Sequence, residues 1–215
     1  MPNSITSLII AGLGAVTAAA FQHLFQQYAE TRRIRREIIE TRLLQLQNSV
    51  ESLYYRANNL LDWGGQATMS QDYYEKTSVF VLARVLGHEL LFASSGIYAK
   101  LQSDKELKSD VKAALHKLNS AMDQQGFLYY YRVLLGEMAL DGDRVITLTE
   151  FLSRWQEPRF ASAIEAASAF VAAVDSHRLE HIRALSGALV ARLAKKTGVP
   201  SALDLTGRTS TRAPA

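Results

Sequence analysis

The chain has 215 residues, of which 48% are hydrophobic and 21% are charged, so most of it is expected to fold as one domain with additional segments. The absence of cysteine excludes disulfides, cysteine-ligated zinc, iron–sulfur clusters and thiol catalysis. The formal net charge is +3, and the basic residues are spread along the chain apart from one cluster, so nucleic acid is not an expected partner.

The first segment, residues 1–29, is predicted to span a membrane as a helix. Residues 5–28 contain no Asp, Glu, Lys or Arg, and a helix of this length would span roughly 30–36 Å, which is enough to cross a bilayer. Phe25 and Tyr28 lie where an aromatic belt is expected at the membrane interface. Four arginines follow at the expected depth of anionic lipid headgroups: Arg32, Arg33, Arg35 and Arg36.

The position of the basic residues predicts the topology. A signal peptide has Lys or Arg before its apolar run, and residues 1–4 contain neither. By the positive-inside rule, the arginine side is cytoplasmic. We therefore expect a bacterial inner-membrane protein with its N-terminus outside and its body in the cytoplasm. The alternative is that the first helix belongs to the core of a soluble helical scaffold.

Small residues on the predicted membrane helix indicate self-association. Ala11, Ala15 and Ala19 recur at every fourth position, which places them on one helical face. Such spacing allows two transmembrane helices to approach closely, so a homo-oligomer is predicted. The alternative is that alanine occurs here by chance in a weakly hydrophobic helix.

Residues 30–62 are predicted to form a basic juxtamembrane region and a long helix that ends before Trp63. Apolar residues step by four and three positions from Ile39 onward, which is the spacing of a coiled-coil seam. The same stripe would also suit a helix that packs on its own domain. As a predicted oligomer face, the seam comprises Ile39, Leu43, Leu46, Val50 and Leu53.

Residues 63–199 are predicted to form a helical bundle, and no alternating pattern indicates a strand, so the fold class is all-α. One helix should run from about Ser70 to Gln102, and "FLYYYRVLLGEMAL" is apolar enough to be the central buried helix. Capping boxes are predicted at Ser103 and Thr147, and Ser176 is the predicted cap of the last helix. Residues 200–215 are polar and aperiodic, which indicates a disordered tail.

Histidine offers the few candidates for chemistry. His177 and His181 are four positions apart, which is zinc-ligand spacing, but no third ligand is assignable, and a solvated helix face is the favoured interpretation. Arg84 with His88, and Arg178 with His181, resemble the R-x4-6-H motif of HEPN ribonucleases with too few intervening residues. A buried core role is favoured for Arg84 and His88. The sequence thus predicts no catalytic residue, no metal and no cofactor.

Tyrosines stand beside arginine in "YYYR", which ends at Arg132, and in "LYYR", which ends at Arg56. Aromatic residues interleaved with cations can stack on nucleic-acid bases. In helices this rich in aliphatic residues, tyrosines in the core with an arginine that extends to solvent are the favoured interpretation.

Four segments carry a resemblance to a protein family. "ESLYYRANNLL", "DYYEKTSVFVLARVLGHELL", "FLYYYRVLLGEMAL" and "FLSRW", following an uncharged and then basic N-terminus, resemble uncharacterised bacterial proteins with one N-terminal membrane helix and a cytoplasmic helical domain. The architecture alone is similar to that of the membrane-pore accessory protein of type VI CRISPR systems.

The expected function is that of a membrane-anchored, self-associating helical protein that acts by interaction or by an effect on the membrane, as a bacterial defence effector does. Its expected partners are a bilayer with anionic headgroups, further copies of itself and a protein that the sequence does not identify. The alternatives are a HEPN-like RNA-processing enzyme and the soluble helical scaffold.

Overall fold

The computed structural model describes residues 3–63, 70–101, 105–124 and 126–203, with the backbone alone for residues 3–18. The chain divides into two units, Met1–Ile38 and Ile39–Ala215, which are described separately. In the described part of the chain, helices account for all regular structure except one hairpin, whose two strands have two residues each, and one isolated β-bridge. The predicted all-α class is confirmed at this level.

The first unit is essentially one helix, α1 (Asn3–Glu37), of 35 residues. The uncharged stretch and the arginine cluster both lie on it, with no glycine or proline between Gly14 and its end. The side chains of Ala11, Ala15 and Arg35 lie outside the described residues, as does that of Ile39 at the start of the second unit.

The second unit contains the bundle. A π-helical segment, Ile38–Leu43, spans the boundary between the two units and is followed by α2. The elements, in order, are α2 (Leu44–Trp63), α3 (Gln71–Ser94), α4 (Ile97–Lys100), α5 (Lys105–Ala121), α6 (Tyr129–Met138), β1 (Leu140–Asp141), β2 (Arg144–Val145), α7 (Leu148–Ser153), a 3₁₀ turn (Pro158–Phe160), α8 (Ala161–Ala173) and α9 (Ser176–Thr197).

Helices α2 and α9 pack along one another in antiparallel directions. Gln47 near the start of α2 hydrogen-bonds Thr197 at the end of α9, whereas Asn58 near the end of α2 accepts from Arg183 near the start of α9. The seam residues are at most 3% exposed: Leu43, which ends the π-helical segment, and Leu46, Val50 and Leu53 of α2.

This burial corrects the predicted oligomer face on α2. A side chain that is already enclosed within its own domain has no surface left for a second copy, so these four leucine and valine side chains are core residues. The sequence spacing is compatible with a seam between chains and with a seam inside the domain. A stripe that repeats every three or four residues indicates that one face of the helix is buried, but not which surface buries it.

Helix α3 is the central helix of the bundle, and this corrects the assignment of that role to α6. Thirteen residues of α3 are buried, and it packs against α2, α6 and α8. Helix α6 instead exposes its start, where Tyr129 is 64% and Tyr130 65% exposed. The aromatic composition of α6 suggested burial all round, but tyrosine is often half in water because its hydroxyl needs a partner.

The helix ends follow the capping signals closely. Ser70 caps α3, and Thr147 with Glu150 forms a complete capping box at α7. Asp175, one residue before the predicted Ser176, caps α9 by accepting from the amide of Arg178 at 2.8 Å. The predicted capping box at Ser103 lies outside the described residues.

Two predicted ends need correction. Helix α3 ends at Ser94, not at Gln102, because Gly96 adopts a left-handed conformation with φ of 68°. Near the C-terminus, Ser201 is buried and its Oγ accepts from the amide of Leu203 at 2.9 Å, so the ordered chain reaches four residues into the segment predicted to be disordered. Residues 204–215 lie outside the described part.

Candidate functional site

Helix α1 carries an exposed apolar stripe. Phe21, Leu24, Phe25 and Tyr28 are spaced by three and four positions, which places them on one helical face. All four side chains are open to solvent, from 57% for Tyr28 to 76% for Phe21. Large apolar side chains in a contiguous exposed row mark a surface that contacts another molecule or a membrane.

The basic end of α1 continues directly from this stripe. The guanidinium of Arg32 lies 4.8 Å from the centre of the Tyr28 ring, and Arg33 forms a 2.9 Å ion pair with Glu30. Arg36 is also exposed. The stripe and the exposed arginines, Arg32, Arg33 and Arg36, together form an apolar surface that ends in a cationic collar.

Helix α3 is long and apolar enough, by length and composition, to span a membrane. Among the residues whose side chains are described, α3 (Gln71–Ser94) alone meets this criterion, and 67% of its most apolar stretch is buried within the second unit. Its apolar composition is therefore that of the central core helix.

Arg84 and His88, the first candidate polar pair, lie in the body. His88 is 1% exposed, and its Nε2 lies 3.0 Å from Oγ of Ser49. Burial, with a smaller contribution from the positive charges of Arg84 and Arg42, lowers the pKa of His88 to about 3. Because both Ser49 and His88 are enclosed, this serine–histidine pair has no access to a substrate.

Arg84 is only half-buried. Its guanidinium lies 5.5 Å from the centre of the Phe80 ring, one helical turn earlier, and burial lowers its pKa. The cation and the ring stabilise each other through the charge distribution of the aromatic face. The charge of Arg84 acts on His88, but the enclosed imidazole is closed to a substrate, so the two side chains form no reaction centre.

A polar cluster that sequence reasoning missed joins α3, α5 and α6. Burial raises the pKa of Glu89, while a 2.6 Å hydrogen bond from Asn119 and the charges of His116 and Arg132 lower it. Burial, together with Glu89, raises the pKa of Tyr98 to about 12. The only signal of such a cluster in a sequence is a polar residue that stands three or four positions from another polar residue of the same helix.

Arg132 in this cluster is buried, at 4% exposure, which reverses the interpretation of "YYYR". It donates to the Phe127 carbonyl oxygen at 2.7 Å and pairs with Asp123 at 2.8 Å. The adjacent tyrosines, Tyr129 and Tyr130, are the exposed members of the segment. A loop carbonyl and a carboxylate both accept from its Nη1, which offsets part of the cost of burying the charge, whereas its buried Nε has no partner.

His177 and His181, the remaining candidates, line an open cleft of about 700 Å³ between α5 and α9. The structure adds a third histidine, His116 of α5, to the same cleft. Even so, no group of three or more histidine, aspartate or glutamate side chains in the described part of the chain is arranged to hold a metal ion. The zinc-ligand spacing of the α9 pair is therefore not completed by a third ligand.

Comparisons with protein-family models, with curated proteins and with solved structures gave no match.

Proposed function

We propose that the protein is anchored in a bilayer through α1, with the helical body on the side of the arginines. The observation that carries this proposal is the exposed row of Phe21, Leu24, Phe25 and Tyr28 immediately before the arginine cluster. Burying one such side chain is worth about 1.5–3 kcal/mol, so a helix that leaves four of them in water gains by entering an apolar phase.

The arginines supply the second part of the argument. Each basic residue close to an anionic leaflet contributes about 1 kcal/mol, and Arg32, Arg33 and Arg36 are all exposed. The same residues set the topology by the positive-inside rule, which keeps the body in the bacterial cytoplasm. The chain thereby fits the single-pass architecture of the bacterial proteins that its sequence resembles.

Self-association through the small-residue face of α1 is part of the proposal. Ala19 is exposed, and Ala11 and Ala15 precede it at four-residue spacing. The seam of α2 does not contribute, because its side chains are enclosed in the body. The proposed molecular role is an interaction, or an effect on the membrane, exerted by an oligomer of anchored helical domains.

Membrane fractionation of the full chain tests the anchor. The protein is expected to remain in the membrane pellet after alkaline carbonate, and a reporter fused after Ala215 is expected to behave as cytoplasmic. Complete release of intact protein by carbonate would favour the soluble scaffold and refute the anchor.

Charge substitutions test the topology. Replacing Arg32, Arg33, Arg35 and Arg36 with glutamine is expected to lower the cytoplasmic signal of the reporter. A matched control removes the charges of three lysines on α5 in the body: Lys105, Lys108 and Lys112. Equal effects of the two variants would contradict a specific role for the arginines of α1.

Cross-linking in membranes tests the small-residue face. Ala15→Leu is expected to weaken the cross-linked bands because the larger side chain keeps two helices apart. Thr17→Leu adds similar bulk on the opposite side of α1 and serves as the control. A monomeric wild-type protein would refute the oligomer while leaving the anchor intact.

A further inference from the structure

The acidic residues of the cleft between α5 and α9 are already paired within the protein. Asp123 forms a 2.8 Å ion pair with Arg132. Asp175 accepts from the amide of Arg178 at 2.8 Å, and its other oxygen lies 4.0 Å from Nε of the same residue. Both carboxylates therefore have a positively polarised neighbour inside the fold, which reduces their contribution to the charge of the cleft.

Arg178 is held in place by the end of α5. Its Nη1 donates to the carbonyl oxygens of Ala121 and Asp123, at the point where α5 leaves its last carbonyls without helical partners. No described residue accepts from its Nη2. Arg178 thus stabilises the wall of the cleft and retains a donor for another molecule.

The remaining polar side chains of the cleft are donors or bases that are free to bind another molecule. In the described part of the chain, none of them has a side-chain hydrogen bond or ion pair. They come from both walls, with two histidines on α9 and the rest on α5. These residues are His116, Lys117, Ser120, His177 and His181.

We infer that this cleft binds a small anionic ligand through a phosphate group, with Lys117 as the main cation and the three histidines as further donors. A volume of about 700 Å³ is in the range that accommodates small-molecule ligands. Phosphate is favoured over a carboxylate because its three oxygens can accept from both walls at once, whereas a carboxylate has two. This inference does not depend on the membrane anchor.

The histidines make the expected binding dependent on pH. Histidine is the side chain that gains positive charge as the pH falls from about 8 to about 5.5. The other charged groups that line the cleft are Lys117, Arg178, Asp123 and Asp175. Glu89 of α3, which is half-buried, is the charged group outside the cleft that interacts with His116.

Calorimetric titration of the full chain with inorganic pyrophosphate tests the inference, and glycerol phosphate, a soluble lipid headgroup, forms a second arm. Binding should be saturable and should strengthen as the pH is lowered from about 8 to about 6.5, a range in which a phosphate group keeps most of its second negative charge because its second pKa is about 6. Tighter binding of pyrophosphate indicates a soluble phosphate ligand, whereas tighter binding of glycerol phosphate indicates a lipid headgroup, and either result supports a phosphate site.

Lys117→Ala is expected to weaken binding roughly tenfold or more, since a hydrogen bond to a charged group is lost. Lys112→Ala removes the same charge from an exposed position of α5 outside the cleft and should leave binding unchanged. His181→Gln should flatten the pH dependence. Replacing the α1 arginines with glutamine should leave phosphate binding unchanged, which would show that this site is independent of the cationic collar.

Four results would overturn the inference. These are the absence of saturable binding, an equal loss in Lys112→Ala and Lys117→Ala, equal binding of acetate, and tight binding of Zn²⁺ that depends on His177 and His181 without any competition from phosphate.

Discussion

Ser49 of α2 and His88 of α3 form a hydrogen bond, Oγ to Nε2 at 3.0 Å, in a place where neither side chain reaches solvent. The hydroxyl of Ser49 donates its hydrogen to the Gln45 carbonyl oxygen at 2.9 Å, so Oγ accepts from Nε2–H of His88. His88 is thereby the neutral tautomer with its proton on Nε2. Its Nδ1 is a buried acceptor without a partner, and protonating it would create a buried charge.

The buried His88 predicts a loss of stability in acid. Its pKa is about 3 in the folded protein and about 6.5 in the unfolded chain, so the unfolded state binds more protons between these values. The free energy of unfolding should therefore fall as the pH decreases through this window, by at most about 1.4 kcal/mol per pH unit. Urea unfolding at a series of pH values measures this slope.

His88→Gln is expected to reduce that slope, because glutamine does not titrate, and His177→Gln, at an exposed position, should leave it unchanged. Identical slopes in the wild type and in His88→Gln would show that another group controls the acid response.

The seam of α2 predicts a core effect at Leu46. Leu46→Ala removes a side chain with no exposed area and should lower the free energy of unfolding by about 2–5 kcal/mol. Gln45→Ala changes the exposed neighbour and should stay within about 0.5 kcal/mol. Chemical denaturation at two protein concentrations distinguishes a seam that is buried within one chain from a seam that lies between chains. A loss that depends on concentration would place the seam between chains and contradict the fold.

Alanine substitutions at two glycines, one at the crossing of α3 and α6 and one on α9, are expected to change the stability in opposite directions. A Cβ at Gly136 would lie 2.8 Å from Leu90 Cδ1 and 3.0 Å from the backbone carbon of Leu86, so Gly136→Ala should cost about 1–3 kcal/mol of stability. A Cβ at Gly187 of α9 would meet only Tyr54, at 3.4 Å. Gly187→Ala should therefore gain up to about 1 kcal/mol from helix propensity.

Melting temperatures of the two alanine variants provide the comparison. Equal changes would show that α3 and α6 do not approach as closely as the glycines indicate.

The ion pair between Asp123 and Arg132 predicts a larger effect than a surface pair. Asp123→Ala leaves a buried guanidinium with the Phe127 carbonyl oxygen and the more distant Glu89, and should cost about 1–3 kcal/mol. Asp72→Ala breaks a surface pair with Lys76 and should cost about 0.5 kcal/mol or less. Urea unfolding of both variants gives the comparison, and a similar small loss in each would mean that Arg132 is hydrated.

The local features were readable from the sequence because neighbouring residues cause them. The cap at Thr147 needs only Glu150 three positions later, and the stripe of α5 needs only its own helical period. The uncharged run before Arg32 is likewise a property of consecutive residues. These features gave the all-α class and most of the helix positions, with errors where a single glycine such as Gly96 ended a helix early.

The tertiary structure decided what each face meets. The same spacing that predicted an oligomer seam at Leu46 is satisfied by α9 of the same chain, because helical period identifies a buried face and not its partner. Arg132 is buried because Asp123 and the Phe127 carbonyl converge on it, and His116 joins His181 in one cleft because α5 and α9 pack together. Such arrangements depend on residues far apart in the sequence, whose contacts no local pattern records.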